Sequence, residues 1–298
     1  MTHAAHHERH DAGPAEILDL EADVLAAHLT EITAWLPLDT APRQIVDLGS
    51  GTGAGTFALL DRFPEAHVTA VDSSAGHLQR LRDKAYGRGQ TKRVRTVQVD
   101  LDEPDWPALG IPDLVWASAS MHHLARPEQV LRAVHDLLPE GGLFAVVELS
   151  AFPRFLPENA PDDRPGLEER CHAAGDRVHA EHLPHRGADW GPMLTAAGFT
   201  VEGERRLTVH IKGSDDQQVG VYAQASLQRI RHGVADALAP EDLAALDRLL
   251  DTDSQHSILR RSDLAVRTER TVWAARRPIP SSRSATTPPA GSPQPTNP

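Results

Sequence analysis

Ile45-Val46-Asp47-Leu48-Gly49-Ser50-Gly51-Thr52-Gly53 joins a short apolar run to an acid and three alternating glycines. That order describes a buried strand that stops abruptly and lets its backbone approach a ligand. Glycine suits such a place because a Cβ would either forbid the turn or hold the ligand away. Nineteen residues after Gly53, a second apolar run, His67 to Val71, closes on Asp72. An acid there is the usual partner of a ribose diol in a nucleoside-binding α/β sheet. A ligand-free tight turn is the plainer alternative, and the strand-loop-helix context speaks against it.

Outward from this stretch, apolar runs alternate with segments of helical period. Arg43 to Leu48 reads as the first strand and Gly53 to Phe63 as a helix. His67 to Val71 is the second strand, Ala75 to Tyr86 a helix, and Val94 to Val99 the third strand. Asp113 to Ala117 is the fourth strand, Pro127 to Leu138 a helix, and Leu143 to Leu149 the fifth strand. Strands separated by single helices predict a Rossmann-like, mostly parallel sheet with helices on both faces. Right-handed crossovers then bring the C-terminal ends of the strands to one edge.

The flanks are less regular. Glu16 to Leu36 carries apolar residues at helical spacing, which predicts one or two cap helices within 14–39, ended by Pro37. Four prolines in 151–166 predict an irregular loop or lid. Leu167 to His182 and Asp189 to Ala197 read as helices, Phe199 to Ile211 as a strand, 217–260 as helical, and Leu264 to Ala275 as a final strand. The expected organisation is one domain over 40–277, with 151–198 and 212–262 as lid or cap insertions. Residues 1–13, polar and rich in histidine, and the Pro/Ser-rich tail 278–298 are expected to be disordered.

Composition narrows the function. A net charge of -12 over 298 residues argues against a nucleic-acid partner, which needs a basic face. A single cysteine, Cys171, allows no intrachain disulfide, which fits a reducing compartment. No window has the apolar length of a membrane span, and the N-terminus lacks the apolar core of a signal sequence. The expectation is a cytoplasmic protein; a homodimer is left open.

The glycine run, closed by Ala54, also satisfies the relaxed dinucleotide fingerprint, so a nicotinamide-dependent oxidoreductase is one reading. Asp47 favours another. Its charge would repel a pyrophosphate and attract a sulfonium or an ammonium group. With Asp47, Gly49, Gly51 and Gly53 the chain resembles the class I S-adenosylmethionine-dependent methyltransferases, whose first motif is acid-x-Gly-x-Gly-x-Gly. The likeness continues through Asp72, through Val99-Asp100-Leu101, through Ser118-Ala119-Ser120-Met121-His122-His123-Leu124, and through the turn Leu138-Pro139-Glu140-Gly141-Gly142, where Glu140 is an insertion. It is clear over about 40–150 and weaker over Ala197-Gly198-Phe199 and Val266 to Ala275, while 1–39 and the rest of 151–262 carry no assignable motif.

The resemblance implies an antiparallel final strand and S-adenosyl-L-methionine as cofactor. It implies that Asp47, Gly49, Ser50, Gly51 and Gly53 meet the cofactor's methionine part and ribose. It further implies that Asp72, beside Ser73, holds the ribose diol, that Asp100 and Leu101 meet the adenine, and that Ala117 and Ser118 lie alongside. The methyl group would pass by in-line displacement to a small-molecule acceptor. His122 and His123 are the candidate general bases, because histidine titrates near working pH. Their plainer role is to hold the loop, since methyl transfer needs little beyond alignment. A catalytically silent binding protein with the same fold is the third reading. His172, His179, His182 and His185 invite a metal site, but structural zinc usually draws on several cysteines, so no metal is expected.

Overall fold

The computed structural model describes residues 13–180 and 183–280. Residues 1–12, most of the Pro/Ser-rich tail and His182 lie outside the described residues. Two helices, α1 (Pro14–Val24) and α2 (Ala26–Trp35), precede β1 (Gln44–Leu48), α3 (Ala54–Arg62), β2 (His67–Asp72), α4 (Ala75–Gly87) and β3 (Val94–Gln98). Then come β4 (Leu114–Ser118), a single 3-10 turn over Met121–His123, α5 (Pro127–Leu137) and β5 (Leu143–Leu149). The second half holds α6 (Leu167–His179), α7 (Trp190–Ala196), β6 (Thr200–Lys212), α8 (Gln218–Val234), α9 (Pro240–Leu250) and β7 (Ala265–Arg276).

The sheet order is β3-β2-β1-β4-β5-β7-β6. The first five strands pair in parallel, and β7 runs antiparallel to both of its neighbours. This is the Rossmann-like sheet with an antiparallel final strand that the sequence predicts. Every residue of β5 is buried, as expected of a strand covered on both faces. Its period-2 alternation divides the core: Leu143, Ala145 and Val147 face α2 and α3, while Phe144 and Val146 face α5 and α7.

Local chemistry fixes the helix ends. Ser74 accepts from the N–H of His77 at the start of α4, and Asp189 accepts from Gly191 at the start of α7. Pro127 and Pro240 occupy the first turns of α5 and α9, where a missing N–H costs nothing. The helical stretch read over 217–260 is broken into α8 and α9 before Pro240, and ends in turns after Leu250.

A third core lies beyond the edge of the sheet. It gathers Ile17, Val24 and Leu25, the loop residues Phe155 and Leu156, and the inner faces of α6, α8 and α9. Its footing is the β6–β7 ladder. β7 pairs with β5 only from Arg270 to Arg276, but pairs with β6 from Ala265 onward, so the two strands project past Leu149 as an arm. The proline-rich loop is ordered against this cap by Glu168, a buried carboxylate that accepts from the backbone N–H groups of Phe155 and Leu156. No helix among the described residues is long and apolar enough to cross a membrane.

Candidate functional site

The glycine loop leaves β1 and is tied at once to β2. Ser50 N–H donates to the carbonyl of Val71, and Gly51 N–H donates to Oδ2 of Asp72 at 2.8 Å. Asp72 Oδ1 accepts from Ser74 N–H at 2.8 Å and lies 3.3 Å from Nδ1 of His77. Asp72 therefore fixes the loop and still carries unused lone pairs toward the cavity it lines. Gly49 has φ +67°, and a Cβ there would sit 2.3 Å from Cβ of Ser120. Ser120 in turn donates its hydroxyl to the carbonyl of Leu48 at 2.9 Å. Two constraints, one conformational and one steric, thus converge on this glycine.

Asp47 is buried, with Oδ2 accepting from the Thr56 hydroxyl at 2.6 Å. Burial pushes its carboxyl up to about 7; Asp72 adds to the rise and Thr56 opposes it. Gly55 makes this packing feasible, since a Cβ there would lie 2.5 Å from Nε1 of Trp116 and 3.3 Å from Asp47 Oδ2. The hydroxyl of Ser50, next along the loop, is buried without a partner.

After β4 the chain turns sharply, with Ala119 at φ +51°, a strained conformation of the kind that gathers at functional sites. The 3-10 turn then separates two adjacent histidines. His122 is 2% exposed, with Nδ1 2.7 Å from Oε2 of Glu148, and it lies outside the cavity lining. His123 lines the cavity. Its ring is exposed to that cavity, and partial desolvation and then the neighbouring His122 push it below the usual histidine range. Asp102 braces this segment from the loop after β3, accepting from the N–H groups of Ala125 and Arg126.

One cavity of about 470 Å³ joins these groups. Of the residues expected at the site, Asp47, Gly49, Ser50, Gly51, Asp72, Ser73, Asp100, Leu101, Ser118 and His123 line it. Gly53, Ala117 and His122 stand behind the lining. Gly53 caps α3 at φ +100°, and Ala117 is buried in the sheet. Sequence reasoning did not single out Glu148, Asp102, Glu21 or Arg270. Glu21 sits on α1 and Arg270 on β7, and both line the cavity with Leu18, Ala22 and Leu25. Among the described residues the lining carries five acids, Glu21, Asp47, Asp72, Asp100 and Asp102, and one arginine, Arg270, with no lysine. Such a surface favours a cationic ligand near the loop.

The histidine-rich segment does not assemble a centre among the described residues. His172 is buried with Nε2 3.8 Å from Glu168 Oε1, and His185 packs against Trp190.

A family model described as a methyltransferase domain matches residues 46–144. The chain is 36% identical over 164 residues to a malonyl-[acyl-carrier protein] O-methyltransferase of Laribacter hongkongensis, covering 53% of this chain and 51% of that protein. It is 30% identical over 200 residues to a trans-aconitate 2-methyltransferase of Methylobacterium nodulans, covering 63% of this chain and 69% of that protein. The chain spans about half the length of several such curated relatives. Its fold is similar to that of a candidate methyltransferase from Bacillus halodurans C-125, with a TM-score of 0.55 and 19% identity over 85% of this chain and 100% of the other.

Proposed function

From the premise that this chain belongs to the class I S-adenosylmethionine-dependent methyltransferases, we propose that it passes the cofactor's methyl group to a small-molecule acceptor by in-line displacement. Asp47 is the observation that carries this reading. Burial raises its carboxyl to about 7, and neither of the other groups that act on it, Thr56 and Asp72, is a cation. A sulfonium or ammonium group beside it would restore its charge.

The residues present fit that cofactor. Asp47, the unpartnered Ser50 hydroxyl and the backbone at Gly49 and Gly51 would hold the methionine part. Asp72 would take the ribose hydroxyls with its free lone pairs, and Asp100 with Leu101 would meet the adenine. The bound cofactor supplies a methyl group already activated by its sulfonium. The protein's share is alignment and exclusion of water, which falls to Leu18, Ala22 and Leu25 on the cap side of the cavity. His123, held below its usual range, is unprotonated near neutral pH and can accept a proton from a hydroxyl acceptor. His122, fixed by Glu148, positions the turn that presents His123.

The test is a pair of measurements. Calorimetric titration with S-adenosyl-L-methionine should show binding, and label from its methyl group should appear in a component of a bacterial metabolite extract. Binding of NAD or NADP without affinity for S-adenosyl-L-methionine would overturn the reading. Cofactor binding with no transfer to any component would instead favour a silent binding protein.

A further inference from the structure

Arg270 is buried, 6% exposed, yet its guanidinium is only half engaged. One terminal nitrogen, Nη2, donates to Oε1 of Glu21, while Nε is buried with no hydrogen-bond partner. An unpaired buried donor is costly, and the cost is greater on a charged group. Glu21 itself is shared, because it also meets Tyr222, a buried residue of α8. The other titratable neighbour is His28 on α2, whose imidazole is pushed down by burial and by Arg270, and so adds no acceptor charge.

Position gives the half-engaged guanidinium a use. Arg270 pairs with Leu149, the last residue of β5, so its side chain stands at the edge of the sheet where the cavity opens. β7 lies four strands from β2, on the order of 19 Å at about 4.8 Å per strand. The cation is thus remote from Asp72 and shares its end of the cavity with α1. A planar guanidinium matches a carboxylate, which accepts two parallel N–H bonds, and a carboxylate displacing Glu21 in the bidentate orientation would also satisfy the buried Nε.

We propose that Arg270 anchors the methyl acceptor through its guanidinium, in the place that Glu21 takes here, and that the acceptor is a small molecule bearing a carboxylate. The assignment rests on the methyl-transfer reading for the word acceptor. Glu21 is the internal carboxylate that shares the guanidinium in the unliganded protein and competes with the incoming one. Because Glu21 belongs to α1, acceptor binding is coupled to the seating of the cap helix.

The alternative is that Glu21 and Arg270 form only a latch between cap and sheet. Two substitutions separate these ideas because they act in opposite directions on binding and in the same direction on a latch. Protein saturated with S-adenosylhomocysteine is titrated by calorimetry with trans-aconitate, malonate and glutarate, and with malonamide and glutaramide as uncharged counterparts. At least one carboxylate should bind, with its amide at least about tenfold weaker. Arg270→Gln should weaken that carboxylate about tenfold or more, whereas Glu21→Gln, which frees the guanidinium, should tighten it several-fold. Both variants cut the tie between α1 and β7, so S-adenosylhomocysteine affinity is measured for each, and a change shared by both reports the cap helix rather than the anchor. The proposal fails if no carboxylate binds, if acids and amides bind alike, or if both variants weaken binding together. Should Arg270→Gln not fold, the sign of the Glu21→Gln effect still decides. Failure of S-adenosylhomocysteine to bind the wild-type protein would strike the methyltransferase reading instead, and so is told apart from failure of the anchor.

Discussion

Glu148 and His122 form a buried pair, with Oε2 of the carboxylate 2.7 Å from Nδ1 of the ring and Oε1 accepting from the N–H of Met121, also at 2.7 Å. The pair ties the end of β5 to the 3-10 turn that carries both histidines. Deleting one partner would leave the other unpaired in a dry site, which is worse than losing the bond itself. Glu148→Ala should therefore lower unfolding free energy by about 2–4 kcal/mol, and His122→Ala by about 1–3 kcal/mol, in urea denaturation. His123→Ala should leave stability nearly intact and lower kcat, by about a hundredfold or more if the acceptor must lose a proton. A His123→Ala protein with undiminished kcat would mean that no base is needed.

Asp47 gives a pH dependence of known sign. Its folded value of about 7 lies above the unfolded value near ~4, so the folded state holds the extra proton between them. Stability of the cofactor-free protein should be fully present at pH 4 and fall as pH rises through 7, by up to roughly 4 kcal/mol. Asp47→Asn should remove that slope, so that the variant melts well above wild type at pH 8 and by a smaller margin at pH 5. The same variant should lose at least tenfold in affinity for S-adenosyl-L-methionine, since the cation loses its counter-charge. Melting curves at both pH values, with and without cofactor, check both parts. A variant equally destabilised at pH 5 and pH 8 would remove the electrostatic account.

Gly49 and Ser120 invite a second-site test. Gly49→Ala places a Cβ 2.3 Å from that of Ser120 and forces a side chain into φ +67°. The two terms together should cost about 2–4 kcal/mol and displace the loop from the cofactor. Adding Ser120→Gly removes the collision and leaves the conformational term of roughly 1 kcal/mol, so the double variant should be more stable than Gly49→Ala alone. If Ser120→Gly brings no recovery, the glycine is required by backbone conformation only.

The parts of the site that were legible are those whose chemistry is local in sequence. Asp47, the glycines and Asp72 announce a ligand-binding strand end because turn, acid and spacing fall within one window. Glu21 and Arg270 meet across 249 residues, and no window holds both. Within its own strand Arg270 is a charge at the start of a run buried through Ala275, and nothing local tells that β7 inserts between β5 and β6 to give it a partner on α1. His122 and His123 are the same residue type side by side. Only the 3-10 turn, entered through Ala119 in a conformation that alanine rarely adopts, decides which ring meets Glu148 and which meets the cavity.

The remaining prediction concerns the fastening of α1 over the loop. Asp19 of α1 pairs with Arg80 and Lys84 of α4, and Lys84 Nζ also donates to the carbonyl of Thr52 at 3.1 Å. Burial works against ionised Asp19, but hydrogen bonds from Lys84, Thr52 and Arg80 hold it below the ordinary carboxylate range. A depressed carboxyl contributes above its unfolded value, near ~4, and that contribution is lost as pH falls through the folded value. The group is partly exposed, so its weight in global stability is small, below about 1 kcal/mol. Its weight in local opening is larger, because α1 supplies Leu18, Glu21 and Ala22 to the cavity. Asp19→Asn at pH 7 should raise amide exchange in α1 and speed the dissociation of S-adenosylhomocysteine several-fold, with little change in the melting temperature. In stopped-flow measurements the wild-type protein should show the same acceleration only as pH drops below about 4, and the variant should show none. An unchanged dissociation rate in Asp19→Asn would mean that α1 is held over the loop by its apolar face alone.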